Sequence, residues 1–219
     1  MRKVTTSMPE QMASPSLQEA LSQIGEIRAQ MTEATLFRGY RALTVAATGV
    51  LAVLAAMLQG VLIADPAVNI GQYVALWVGL AALCFALVMI ELTHRYLTTS
   101  SELVRRDILH AAEKFAPCLL AGALVTVALL RFVPDSRALL PGLWSMFFSL
   151  GIFASWRKLP RLCLLIGGYY LAAGTALVVS AEHAQSLSPY GMGLTFGVGQ
   201  LATAAVLYFT LERNHGATE

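Results

Sequence analysis

Six stretches of this chain, roughly 42–64, 70–90, 116–133, 139–156, 162–181 and 191–211, carry acidic, basic or histidine residues only at their ends. A helix needs about 20 mostly apolar residues to cross the hydrocarbon of a bilayer. Only a structure that pairs its own backbone can do so, and for segments of this length that structure is a helix. The expected fold is therefore all-α: a polytopic membrane protein, a bundle of six transmembrane helices. Composition agrees, since 57% of residues are hydrophobic and only 13% are charged. An ordinary soluble domain carries about 25% charged residues.

Proline placement supports the same boundaries. Pro66, Pro117, Pro141, Pro160 and Pro189 each lie at or just before the start of a stretch. There the missing N–H costs nothing and the fixed φ suits a first turn. Pro134 follows the third stretch, and Pro9 and Pro15 lie in the N-terminal tail. The spans are expected to be six continuous helices. Cys84, Cys118 and Cys163 all sit in apolar stretches and form no short-spaced pair, so they read as small buried hydrophobes.

Charge distribution orients the bundle. Thirteen of the 15 Lys and Arg residues fall in the N-terminal tail, the second and fourth connections and the C-terminus. Only Arg131 and Arg137 fall on the opposite side. Basic flanks stay in the cytoplasm, so both termini are expected there. Tyr40, Tyr96, Trp144, Trp156 and Tyr190 fall near the expected interfaces, where amphipathic rings are favoured. The start of the chain has two basic residues but no apolar run behind them, so a cleavable signal peptide is not expected. The organisation is then a cytosolic tail over 1–41, a transmembrane domain over 42–213, a cytosolic connection over 91–115 and a C-terminal tail over 214–219.

The tail contains "SLQEALSQIGEIRAQM", an amphipathic helix expected over about 16–37. Ser16 and Glu19 have capping-box spacing, and Leu17, Leu21, Ile24 and Met31 make an apolar stripe with Ile27 beside it. Glu19, Glu26 and Glu33 recur every seven residues, offset only by Arg28. An acidic helix suits an anionic lipid surface poorly. Packing on the protein's own second connection, a partner or a second copy suits it better. The second connection has helix signals of its own: Thr99 and Glu102 at capping-box spacing, then Val104, Ile108, Ala111, Ala112 and Phe115 on one side.

This connection also holds the only metal-like constellation. Glu91 and His94 have E-x-x-H spacing, and Asp107, His110 and Glu113 give D-x-x-H-x-x-E. Residues three apart share a helix face and could offer ligands to one ion. Di-metal helical bundles use comparable Glu-x-x-His motifs with further carboxylates from other helices. Those carboxylates are missing here, and Arg95, Arg105 and Arg106 are interleaved. The competing reading is an ordinary hydrated face at the membrane boundary.

Other mechanisms lack their residues. Ion-coupled transporters place ionisable groups at mid-depth, and this chain has none there. The proline pattern predicts none of the broken helices at which many transporters bind substrate. All four histidines lie outside the spans, so axial haem ligation finds no partner. Neither G-x-S-x-G nor H-E-x-x-H occurs. No cofactor and no nucleic-acid partner are expected.

Polar residues do occur within the spans: Thr44, Thr48, Gln59, Gln72, Ser145, Ser149, Tyr169, Tyr170, Thr175, Gln200 and Thr203. Their expected use is interhelical hydrogen bonding, each bond worth about 0.6–2 kcal/mol. Gly193-x-x-x-Gly197 and Gly168-x-x-x-Ala172 mark close helix approach, with packing inside one chain as the default. The four glycines of "GMGLTFGVG" make that segment the expected place for irregular backbone.

From Ala116 the chain reads "APCLLAGALVTVALLRFVPDSRALLPGLWSMFFSLGIFASWRKLP". With the earlier "IRAQMTEATLFRGYRAL", this resembles a group of uncharacterised bacterial integral membrane proteins over about two-thirds of the chain. The resemblance implies a bacterial cytoplasmic membrane and carries over no activity, cofactor or site residue. The expected function is a non-enzymatic regulatory or accessory protein presenting its cytosolic helices to a partner. The alternatives are a small uncoupled transporter or channel with Gln59, Gln72, Gln200 and Tyr169 on its path, and a metal-dependent enzyme using the 91–113 cluster.

Overall fold

The computed structural model describes residues 42–98, 102–155, 162–183 and 185–211. The amphipathic helix expected over 16–37 and the C-terminal tail over 214–219 lie outside the described residues. Every element within them is helical: α1 (Ala42–Leu62), α2 (Ile70–Thr98), α3 (Glu102–Arg131), α4 (Leu140–Ala154), α5 (Cys163–Val179), α6 (Pro189–Met192) and α7 (Gly199–Leu211). Short 3₁₀ turns join α3 to α4 and α5 to α6, and a π-helical turn over Gly193–Val198 joins α6 to α7.

Five helical segments are long and apolar enough to cross a bilayer: Ala42–Leu62, Ile70–Thr98, Pro134–Ala154, Cys163–Glu182 and Pro189–Phe209. Each has at least 20 residues, which at about 1.5 Å per residue gives about 30 Å, the thickness of the hydrocarbon. This is the signature of a multi-pass membrane protein. At the third expected span, 116–133, the apolar helical segment is Phe115–Arg131, of 17 residues.

Two boundaries differ from the sequence expectation. Helix α2 runs past Ile90 to Thr98, because charge ends a span without ending a helix. Helix α3 runs unbroken through Pro117, which therefore sits inside a 30-residue helix instead of opening one. Pro117 removes a single backbone bond, to the carbonyl of Glu113. That carbonyl lies beside exposed residues, where water or a lipid headgroup can take its place.

The tightest seam joins α4 to α5. A Cβ built on Gly142 would lie 2.6 Å from Val178 Cγ2 and 2.7 Å from the Gly174 carbonyl oxygen, so only glycine permits the crossing. Helix α3 lies antiparallel along α4. Phe115 fills the space at Gly151 near one end, and the Trp144 indole donates to Thr126 Oγ1 (2.8 Å) further along. Trp144, expected at an interface, thus spends its N–H inside the bundle. At the turn between the two helices, Arg137 Nη2 donates to the Leu130 carbonyl (2.8 Å), closing the last turn of α3. The Gly193/Gly197 step packs within the chain, against Ala56 and Val53 of α1. Gly168, by contrast, meets nothing within 4 Å.

Candidate functional site

In a dry interior an amide must find partners or cost several kcal/mol. Gln59 of α1 is fully buried and finds two. Its Nε2 donates to the Leu187 carbonyl (2.7 Å), and its Oε1 accepts from Trp77 Nε1 (2.7 Å). One side chain thereby ties α1 to α2 and to the connection that precedes α6. Ser186 beside it donates to the Ala138 carbonyl (2.6 Å), joining that connection to the turn before α4. Ile63, Tyr73, Leu140, Leu187 and Met192 pack with Trp77 in the buried cluster around this node. The Tyr73 hydroxyl is enclosed with no hydrogen-bond partner among the described residues.

A cleft of about 360 Å³ lies over the node, lined by Gly60, Ile63, Asp65, Pro66, Leu187 and Pro189 among others. Among the described residues Asp65 is the only ionisable group on its wall. Its Oδ1 is occupied with the Ala67 and Val68 amides (3.0 and 3.3 Å), holding the tight turn between α1 and α2. A second, apolar groove of about 740 Å³ runs between α1 and α2, lined by Leu54, Leu58, Val61, Ala75, Gly79 and Leu83 among others.

The α4–α5 seam carries its own polar ladder. Ser145 Oγ donates to the Tyr170 carbonyl and Ser149 Oγ to the Gly167 carbonyl, both at 2.8 Å. Phe148 stacks edge-on between Phe115 (5.3 Å) and Phe196 (5.8 Å) and tilts against Tyr170 (4.8 Å), linking α3, α4, α5 and the π turn. The Tyr170 hydroxyl is buried and has no partner among the described residues.

Of the polar residues singled out in the sequence, Gln59, Ser145, Ser149 and Tyr169 bond across helices. Thr48, Thr175 and Thr203 instead bond back to carbonyls three or four residues earlier in their own helices. Gln72 is exposed and Gln200 half-buried, and neither cavity described above is lined by Gln72, Gln200 or Tyr169. Trp77, Thr126 and Ser186 complete the network without having been anticipated. An aromatic or hydroxyl in an apolar run carries no signal of the carbonyl it will meet.

The 91–113 cluster is placed only in part. Glu91 is half-buried and His94 exposed near the end of α2, and Glu113 is exposed on α3. Asp107 and His110 lie on α3, and their side chains lie outside the described residues. Among the described residues no three His, Cys, Asp or Glu side chains gather as a metal site would require. None of the three cysteines is in a disulfide.

Chemically, the buried polar set among the described residues comprises Thr48, Gln59, Thr126, Ser145, Ser149, Ser186 and Thr195, with no Asp, Glu, Lys, Arg or His in it. Such groups donate and accept hydrogen bonds. No family model matches the chain, and neither a curated protein nor a solved structure is significantly similar to it.

Proposed function

We propose that this is an inner-membrane protein of six crossings with both termini in the cytoplasm, serving as a non-enzymatic regulatory or accessory subunit. The six-fold count rests on α3. It lies antiparallel along α4 from Phe115 to the turn at Arg137, so a bilayer that contains α4 contains the apolar part of α3 as well. Charge agrees. Leaving α3 outside the membrane would put Arg157, Lys158, Arg161 and Arg213 on the far side and bring Arg131 and Arg137 to the near side. The basic residues would then divide eleven to four instead of thirteen to two, a weaker bias for the same chain.

The observation that carries the functional reading is where polar character goes. Inside the bundle, Gln59, Ser145, Ser149 and Trp77 spend their hydrogen bonds holding helices together. Ionisable side chains are concentrated instead in the tail and the 91–115 connection. Those segments are the surface a partner would meet, with the acidic helix expected over 16–37 as the contact. Deleting residues 1–35 should remove the partners that co-purify with the full chain in mild detergent. An unchanged set of partners refutes this reading.

The transporter reading is the weaker one, because Gln59 is bonded on both sides of its amide and so does not line a path. Reconstituted vesicles should show no flux across a broad solute panel. The metal reading is settled by elemental analysis of the purified protein, for which no stoichiometric metal is expected.

A further inference from the structure

The π turn over Gly193–Val198 interrupts an otherwise α-helical span. In a π turn each N–H reaches five residues back, and single π turns of this kind appear mostly within α-helices. Where the pairing steps from five back to four, one carbonyl loses its amide partner. The Gly199 N–H already returns to the Thr195 and Phe196 carbonyls. It therefore passes over the Leu194 carbonyl, five residues back, and a carbonyl passed over in hydrocarbon is costly. This one is taken by a side chain from another helix: Tyr169 OH of α5 donates to the Leu194 oxygen at 2.7 Å.

The next residue of α5 acts on the other end of the turn. A Cβ built on Gly199 would lie 2.4 Å from Tyr170 Cζ and 2.5 Å from its hydroxyl. Only glycine fits opposite Tyr170. Sliding the lower half of the span by one residue would bring Val198 to that seat, where it does not fit. On the upper side, Gly193 and Gly197 are held against Ala56 and Val53 of α1, where a Cβ would lie 2.7 Å from each.

We propose that Gly193–Val198 contains a one-residue insertion in the last span, latched open by the Tyr169 hydroxyl and registered by the Tyr170–Gly199 contact. One extra residue turns the inner half by about 100° relative to the outer half. That rotation lets the outer glycines face α1 while Gly199 faces α5. The latch lies on the exposed side of α5, where Tyr169 is 36% exposed.

The test is a four-protein cycle on the full chain in lipid–detergent mixed micelles: wild type, Tyr169→Phe, deletion of Val198, and both together. Deleting Val198 restores ordinary α pairing and gives the Leu194 carbonyl the Gly199 amide, so the deleted chain should still fold. Tyr169→Phe should lower the folded-to-unfolded ratio about three- to thirty-fold in the wild-type background, the range for an interhelical bond in a membrane. In the deletion background it should leave that ratio unchanged. Three results overturn the proposal: equal loss in both backgrounds, no loss in either, or a Val198 deletion that does not fold. Should Tyr169→Phe alone fail to fold, rescue by the deletion supports the proposal and failure of the double variant overturns it.

Discussion

Replacing Gly142 by alanine is the most searching single perturbation of this bundle, because the added methyl has nowhere to go. Its Cβ would meet Val178 Cγ2 at 2.6 Å, the Gly174 carbonyl oxygen at 2.7 Å and the Val178 nitrogen at 2.9 Å. Two of the three are backbone atoms of α5, which no rotamer change can move. Ordinary carbon contact lies near 3.5–4.0 Å, so α4 and α5 must separate locally by roughly 0.7–1 Å. Overpacking of this kind costs about 1–3 kcal/mol. The same separation would stretch the Ser145–Tyr170 bond, now 2.8 Å, one turn away. Drawn beyond hydrogen-bonding distance, it forfeits about 0.6–2 kcal/mol more. The expected loss is therefore about 2–5 kcal/mol, read as a lower midpoint of reversible unfolding in mixed micelles. Gly168→Ala is the internal control: it sits on the same α5, meets nothing within 4 Å, and should shift stability by less than about 0.5 kcal/mol. Equal midpoints for the two variants would refute the reasoning that this seam depends on backbone approach.

Three further outcomes follow from named contacts. Gln59→Leu strands both the Trp77 N–H and the Leu187 carbonyl, and should cost about 1–4 kcal/mol by the same unfolding assay. Trp77→Phe should cost less, since Gln59 keeps its bond to Leu187, and the double variant should cost less than the two singles added. Tyr170→Phe removes a buried hydroxyl with no partner among the described residues while keeping the ring against Phe148 and Phe196, so stability should hold or rise. A reporter fused after residue 219 should signal from the cytoplasm, and a periplasmic signal would refute the six-crossing topology.

The helices were legible because solvent choice is written in composition: the helix over Ile70–Thr98 is long and apolar enough to cross a bilayer. Helix ends were less legible. Pro117 was read as a start because proline favours first turns, yet α3 continues through it at the cost of one bond. The irregular backbone was flagged by the glycines of "GMGLTFGVG", and the π turn lies there. Its latch was not, since nothing in the local sequence says that Tyr169 would reach Leu194, 25 residues away. Small-residue spacing was half informative: Gly193-x-x-x-Gly197 packs on α1, while the face carrying Gly168 is open. The spacing marks a face that can be approached closely, and only the assembled bundle says what approaches it.

The polar residues show most clearly why fold is readable here and function is not. Gln59, Ser145, Ser149, Tyr169 and Ser186 all donate to main-chain carbonyls. Every residue has a carbonyl, so such bonds need no partner side chain and leave no paired signature in the sequence. A carbonyl acceptor is also chemically anonymous. It fixes two helices at one distance. Selectivity would need convergent side chains of differing chemistry around one space, as ligand sites have. On the wall of the cleft above Gln59, one oxygen of the Asp65 carboxylate is taken by backbone amides. Gln59, Ser145, Ser149 and Ser186 thus give their donors to the bundle's own main chain, which fixes the spacing of the helices and leaves no paired signature to read.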